Sequence, residues 1–304
     1  MSGMTPHLTR RSLLAGAGAS AIVAAVPGFA VPRGGKIRFG YTAMTWGNEE
    51  RQAIKDIAAL GFPGIQFRAN AVTDFKPAEL KDLLAQHKLT FVALSSGDVS
   101  LDSPEPEQIA KHLANAQFVK DAGGQYLQVL DTLKSYPRTA TPEECKRLGK
   151  LLTELGKRTA DIGIPLGYHN HLNTLSQLPA NLDLILESAD PKFVKLELDT
   201  AHIVAGGGDP AAAILKYHDR LLFLHLKDVI DISADPAKAR YPFQFVELGR
   251  GRVDLPGVFA ALDKVGFHGW AVVELDRVPD PSKSPKECAQ ISKSYLEQKI
   301  GAKL

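Results

Sequence analysis

Several scarcities set the first boundaries. The chain of 304 residues holds only two cysteines, Cys145 and Cys288. Both fall in predicted helices, and no spacing ties either to a metal-binding or redox motif. They read as two separate thiols or, in an oxidising compartment, as one bridge. Surplus charge is also missing, with 36 Lys and Arg against 34 Asp and Glu. No apolar run reaches the ~18 to 20 residues that a membrane span needs. There is no internal repeat, low-complexity tract or heptad run, and no Gly-rich phosphate loop follows the last two predicted strands. Phosphate-bearing substrates are therefore disfavoured.

The apolar segment that comes nearest to a span reads as a leader rather than a membrane anchor. Thr9-Arg10-Arg11-Ser12-Leu13-Leu14 precedes a run rich in Ala and Gly from Ala15 to Val26, and Gly28-Phe29-Ala30 closes it. That is the layout of a twin-arginine export signal with a small-x-small cleavage site. The expectation is cleavage after Ala30, the twin-arginine export machinery as a partner, a periplasmic or secreted location and no stable membrane anchor. Residues 1–30 carry Arg10 and Arg11 and no acidic residue, so 34 basic and 34 acidic residues remain after cleavage. A neutral mature chain has no global field to draw it to nucleic acid. Because this route carries folded proteins, a metal can be loaded before export.

From residue 31 to 304 the pattern alternates short β runs with amphipathic helices. Strands are expected at Ile37–Ala43, Gly64–Arg68, Thr90–Ser95, Gln125–Leu130, Ile164–Tyr168, Phe193–Leu198, Leu221–Lys227 and Gly269–Leu275. Helical patterns separate them, several opened by proline in the first turn, as at Pro77, Pro142 and Pro210. Eight such alternations predict an α/β fold, a single-domain (β/α)8 TIM barrel, rather than a doubly wound sheet. The stretch Val229 to Arg252 breaks the pattern and is expected to be a long loop on the catalytic face, with Tyr241, Phe243 and Phe245 to anchor it.

Parity within each strand separates two faces. One is apolar: Ile65 and Phe67, Leu127 and Val129, Leu166 and Tyr168, Leu196 and Leu198, Leu222, Leu224 and Leu226, Ala271, Val273 and Leu275. These are expected against the helices. The other face carries Gln66, Arg68, Gln128, His169, His171, Lys195, Glu197, Asp199, His225, Lys227 and Glu274, most of them toward the C-terminal strand ends. A lone inward histidine is more often a core residue, and Glu197 could pair with Lys195 or Arg68. Burying so many ionisable groups together is costly unless they pair or bind a cation. Two histidines and two carboxylates from four strand ends suggest a divalent-metal site.

Tyr168-His169-Asn170-His171, Leu198-Asp199-Thr200-Ala201-His202, His225-Leu226-Lys227-Asp228, Gly249-Arg250-Gly251-Arg252-Val253-Asp254 and Val273-Glu274 resemble, in order and spacing, the sugar phosphate isomerase/epimerase family with its xylose-isomerase-like barrel. The resemblance covers about residues 36–300. It implies metal ligands at His169, Asp199, His225 and Glu274, and a substrate-contacting histidine at His202. It also exposes a departure: the epimerase branch usually places a glutamate, working as acid or base, where this chain has His169. Tyr-His-Asn-His at that strand is found in a branch where dehydratase and other lyase chemistries occur.

A sugar with a hydroxyl beside a carbonyl can chelate a divalent ion, which stabilises the enediolate formed when a base removes the intervening proton. Mixed imidazole and carboxylate ligation suits Mn, Fe, Co or Zn better than Ca or Mg. Glu274, His202 and Lys227 are the leading catalytic candidates, with His171 and Glu197 as further proton shuttles. Gln66, Arg68, Gln128, His171, Glu197, His202 and Arg250 are expected to bind a small carbohydrate. Three readings follow. The first is a metal-dependent isomerase or epimerase of a non-phosphorylated sugar or keto-sugar. The second is a metal-dependent lyase, dehydratase or hydrolase of an oxidised (3-keto) sugar or glycoside. The third, without chemistry, is a periplasmic sugar-binding protein. Assembly into an oligomer stays open.

Overall fold

The computed structural model describes Met1 and residues 37–132, 140–233 and 242–304. The expected export signal, with Arg10 and Arg11, lies outside these residues, as does Tyr241. The strands are β1 (Ile37–Thr42), β2 (Gly64–Arg68), β3 (Thr90–Val99), β4 (Tyr126–Asp131), β5 (Leu166–His169), β6 (Val194–Asp199), β7 (Leu221–Leu226), β8 (Asp228–Asp231), β9 (Phe243–Val246) and β10 (Gly269–Val273). Eight of them close a parallel barrel in the order β1-β10-β7-β6-β5-β4-β3-β2, while β8 and β9 pair apart. The (β/α)8 expectation holds, and a closed barrel is not the two-lobed receptor of the binding-protein reading.

Local chemistry explains where the long helices begin. Pro142–Ile162 opens with a capping box in which the Thr141 hydroxyl accepts from the Glu144 N–H and the Glu144 carboxylate accepts from the Thr141 N–H. Ser284 and Glu287 repeat the device at Pro285–Tyr295. Cys145 and Cys288 sit in these two helices, both buried and both free. No described helix is long and apolar enough to cross a membrane.

The apolar parity of the strands packs against the helices in one continuous cluster, from Ile65 and Phe67 round to Ala271 and Val273. Inside the barrel, the N-terminal half is closed by a separate apolar plug of Val92, Ala93, Phe223, Trp270 and Val272. Tyr126 stacks on Phe223 with ring centroids 5.5 Å apart. Gly64 is required there, because a Cβ would come within 2.5 Å of the Trp270 ring. Fully burying side chains such as Trp270 and Phe223 is worth roughly 2 to 3 kcal/mol each. Leu222, expected against the helices, packs on this plug instead. The β6 to β7 register shifts between Leu196 and Glu197, which frees one residue of β7 from strict alternation. The plug forms an apolar floor, and the polar groups gather above it.

The stretch expected as an open loop contains a hairpin. Residues Asp228 to Asp231 pair antiparallel with Phe243 to Val246. Its base is fixed by the buried Asp228 carboxylate. Oδ1 accepts from the Val229 and Val253 N–H groups at 2.9 and 3.0 Å, and Oδ2 from those of Gly249 and Gly251 at 2.9 and 2.8 Å.

Candidate metal centre

Strand pairing places the expected ligands side by side. His169 on β5 is opposite Glu197 on β6, and Asp199 on β6 is opposite His225 on β7. The Glu274 N–H continues the β10 ladder by donating to the Leu226 carbonyl at 3.0 Å. His169, Asp199, His225 and Glu274 are all buried, and each offers one ligand atom within 4.8 Å of the others. Neighbours fix their orientation. Asn170 extends the β5–β6 ladder through its side chain, accepting from the Asp199 N–H at 3.0 Å and donating to the Asp199 carbonyl at 3.3 Å. Asp199 also caps the helix Thr200–Ala205, Oδ1 accepting from the His202 N–H at 2.8 Å. That leaves Oδ2 to face inward.

Inward it meets no hydrogen-bond donor. Asp199 Oδ2, His225 Nδ1, His169 Nδ1 and both oxygens of Glu197 are buried without a well-formed hydrogen bond. Unsatisfied buried polar atoms are costly and therefore rare in native structures, and two of these, Asp199 Oδ2 and His225 Nδ1, face each other at 3.9 Å. Burial pushes the Asp199 carboxyl up to about 7. Burial would likewise raise Glu274, but the positive charges of His225 and Lys227 outweigh it and hold that carboxyl well below the usual range. Burial, with His225 and His171 nearby, keeps His169 neutral. The two imidazoles and the Asp199 and Glu274 carboxylates fit one divalent cation, which would satisfy Asp199 Oδ2 and His225 Nδ1, while His169 Nδ1 faces Glu197 instead.

Beside these four lies a second group on the same flank. Lys227 Nζ donates to Glu274 Oε1 at 2.9 Å and to Asp276 Oδ1, and sits 4.2 Å over the Phe245 ring. Burial acts to lower the Lys227 ammonium, yet Asp276 and Glu274 raise it far above the ordinary lysine range. Lys227 is a fixed cation. His202 Nε2 lies 3.4 Å from Lys227 Nζ, and the His202 ring is 3.8 Å from that of His171. Burial and the adjacent His171 and Lys227 hold His202 well below the histidine range. His171 is lowered by burial and by Lys227. These rings open onto a cavity of about 600 Å³ walled by Phe243, Phe245, Asp276, Val278 and Pro279.

Other sequence candidates take different places. Gln66 Oε1 is 2.9 Å from His225 Nε2, directly behind a ligand. Gln128 is buried in the barrel, its Oε1 without a hydrogen bond. Glu197 is fully buried and pairs with His225 and His169, not with Lys195 or Arg68. Arg68 turns to the Gly47 carbonyl and approaches Glu50 at 3.9 Å. Arg250 is half exposed and pairs with Glu247 at 3.6 Å. Asp276 and Asn170 were absent from the sequence candidates. Asp276 shares the parity of Glu274 and was within reach of the same argument, whereas the pairing of Asn170 depends on a ladder seen only in three dimensions.

Residues 54–296 match the model of the xylose isomerase-like TIM barrel family. The chain belongs to that family. It is similar to the inosose dehydratase of Lacticaseibacillus casei, with 27% identity over 86% of this chain and 96% of the relative. The inosose dehydratase of Clostridium beijerinckii is 26% identical over 88% of this chain and 98% of its own length. Among solved structures, the IolI protein with a bound zinc atom superposes with a TM-score of 0.74 at 18% identity, covering 87% of this chain and 98% of that one. A probable 3-DHS dehydratase, AsbF of Bacillus anthracis, gives 0.69 at 17% identity over 86% and 99%. The expectations of an enzyme and of one divalent metal ion stand with these relatives and this ligand set.

Proposed function

We propose that this chain is a divalent-metal-dependent lyase that dehydrates, or otherwise eliminates a β-substituent from, a non-phosphorylated keto-sugar. The observation that carries the reading is the one-sided distribution of titratable groups. His171, His202, Lys227 and Asp276 all lie on the flank that opens to the cavity. The inward residues on β2 and β4 are Gln66 and Gln128, which carry no titrating proton. An epimerase exchanges protons on two faces of one carbon and needs an acid or base on each. Elimination can be served from one side. His169 in place of a strand-5 glutamate removes a second base in the same sense. The inosose dehydratase relatives support this reading over the isomerase or epimerase that the sequence ranks first.

A bound divalent cation would polarise the chelated carbonyl as a Lewis acid. His202, kept neutral, takes the proton from the carbon beside that carbonyl. The C–H electron pair becomes the enolate double bond, and the enolate expels the oxygen on the β carbon, which leaves as water on receiving the proton back from His202. Lys227, locked as an ammonium, holds Glu274 and Asp276 in place and counters the negative charge that develops. Phe243 and Phe245 form an apolar wall against which a sugar ring can lie. The test is product analysis of metal-loaded protein in D2O with a panel of inososes and 3-keto sugars. The expected result is loss of water and an unsaturated ketone absorbing in the ultraviolet. Solvent deuterium at a carbon of an isomeric product, with no water lost, would replace the lyase by an isomerase.

A further inference from the structure

Glu197 is the most deeply buried carboxylate beside the centre, with no solvent exposure, and it lies behind the ligands. Its Oε1 is 2.8 Å from His225 Nε2 and its Oε2 is 3.3 Å from His169 Nδ1. The Nε2–H of His225 is shared with Gln66 Oε1 at 2.9 Å. The other nitrogen of His225, Nδ1, faces Glu274 Oε2 at 3.2 Å and Asp199 Oδ2 at 3.9 Å. One carboxylate therefore touches both imidazoles of the ligand set. No arginine or lysine pairs with it among the described residues, so the two imidazoles are its nearest charge-compensating partners. A charge so deeply buried is destabilising unless the groups it touches compensate it, and here those groups are the two imidazoles.

We infer that Glu197 is a positioning residue that accepts the N–H of both ligand histidines, committing His169 to present Nε2 and His225 to present Nδ1 to the cation. A neutral imidazole carries one proton, and the nitrogen that holds it cannot ligate. A carboxylate accepts and never donates, so each nitrogen facing Glu197 must carry the proton. The same contact makes both ligands more basic and fixes the plane of each ring. The β5–β6 register accounts for half of the arrangement, since His169 and Glu197 are cross-strand partners. The β6–β7 shift that begins at Glu197 brings the rest. This inference rests on the reading of His169, Asp199, His225 and Glu274 as a divalent-cation site.

Glu197→Gln is the informative change because it keeps shape and packing. Its amide oxygen can accept from one imidazole, but its NH2 then confronts the N–H of the other. A merely structural Glu197 would tolerate the swap. The experiment uses Co2+ as the probe, measuring its dissociation constant by chelator competition together with its visible absorption, in wild type and in Glu197→Gln. The expected result is Co2+ affinity weakened about 10- to 100-fold with an altered visible spectrum. Equal affinity and an unchanged spectrum would overturn the inference while leaving the metal site intact. Failure of the wild-type protein to take up Co2+ would overturn both. Nitrogen-15 histidine spectra of the Zn2+-loaded wild type give a second reading that needs no variant, should Glu197→Gln not fold. Protons on His169 Nδ1 and His225 Nε2 are expected, and a proton on His169 Nε2 would refute the assignment.

Discussion

Asp199 divides its two oxygens between structure and chemistry. Oδ1 caps the helix that carries His202, and Oδ2 has no hydrogen-bond partner and is the oxygen proposed to meet the cation. Asp131 shows the same economy on the far side of β5. Its carboxylate accepts from the Tyr168 hydroxyl at 2.5 Å and the Leu175 N–H at 2.7 Å, tying β4 to the segment that follows His169. Burial raises Asp131 from 3.8 to about 6, and the bonds from Tyr168 and Leu175 oppose it without cancelling it. Because the folded value lies above the unfolded one, the protonated form is favoured by folding. The contribution is complete below the unfolded value and is lost as pH rises through about 6. A shift of this size amounts to roughly 3 kcal/mol. Denaturant titrations of wild type and Asp131→Asn between pH 4 and 7 should show stability falling more steeply in wild type than in the variant. Parallel curves would mean that Asp131 does not titrate in that window.

At the scale of elements, the hairpin of β8 and β9 depends on one side chain. Asp228→Ala leaves four N–H groups without an acceptor, and even partial hydration makes the change expensive, about 3 kcal/mol or more. Thermal melts and hydrogen exchange should locate the loss in residues 228–253. A variant as stable as wild type, with these amides still protected, would contradict this account. Phe245 couples the hairpin to the chemistry, with its ring 4.9 Å from that of His202 and beneath Lys227. Phe245→Ala is expected to lower turnover about tenfold or more while cation affinity stays unchanged, since the ligands sit on rigid strand ends. A parallel loss of cation affinity would show that the hairpin is part of the metal site itself. The hairpin was hidden in the sequence because four-residue strands beside the turn-rich run Asp235-Pro236 and Tyr241-Pro242 carry no alternation long enough to read. The barrel strands were legible because their period of two is enforced by a helix layer outside and an apolar floor or polar site inside. Leu222 and the position of Glu197 behind the candidate ligands were not, because they follow from strand registers, the β5–β6 pairing and the β6–β7 shift, which leave no mark in composition.

At the scale of the whole molecule, the barrel brings together residues more than a hundred positions apart, so the centre exists only when the sheet is closed. His225 and Gln66, 159 positions apart, meet at 2.9 Å across its interior. We further propose export through the twin-arginine route, which suits a protein whose metal is bound in the folded state. Arg10→Lys combined with Arg11→Lys should leave full-length protein in the cytoplasm. Normal appearance of a shortened form in the periplasm would refute that route.

The proposed chemistry depends on one divalent cation at the candidate site of His169, Asp199, His225 and Glu274. Asp199→Asn is the sharpest probe, because its retained Oδ1 preserves the helix cap while its amide replaces the ligand oxygen. Elemental analysis after equilibration with Mn2+, Co2+ or Zn2+ and desalting should give one equivalent in wild type and a small fraction in Asp199→Asn, with similar circular dichroism for both. Wild-type protein that stays substoichiometric with every ion, or a variant that keeps a full equivalent, would contradict it.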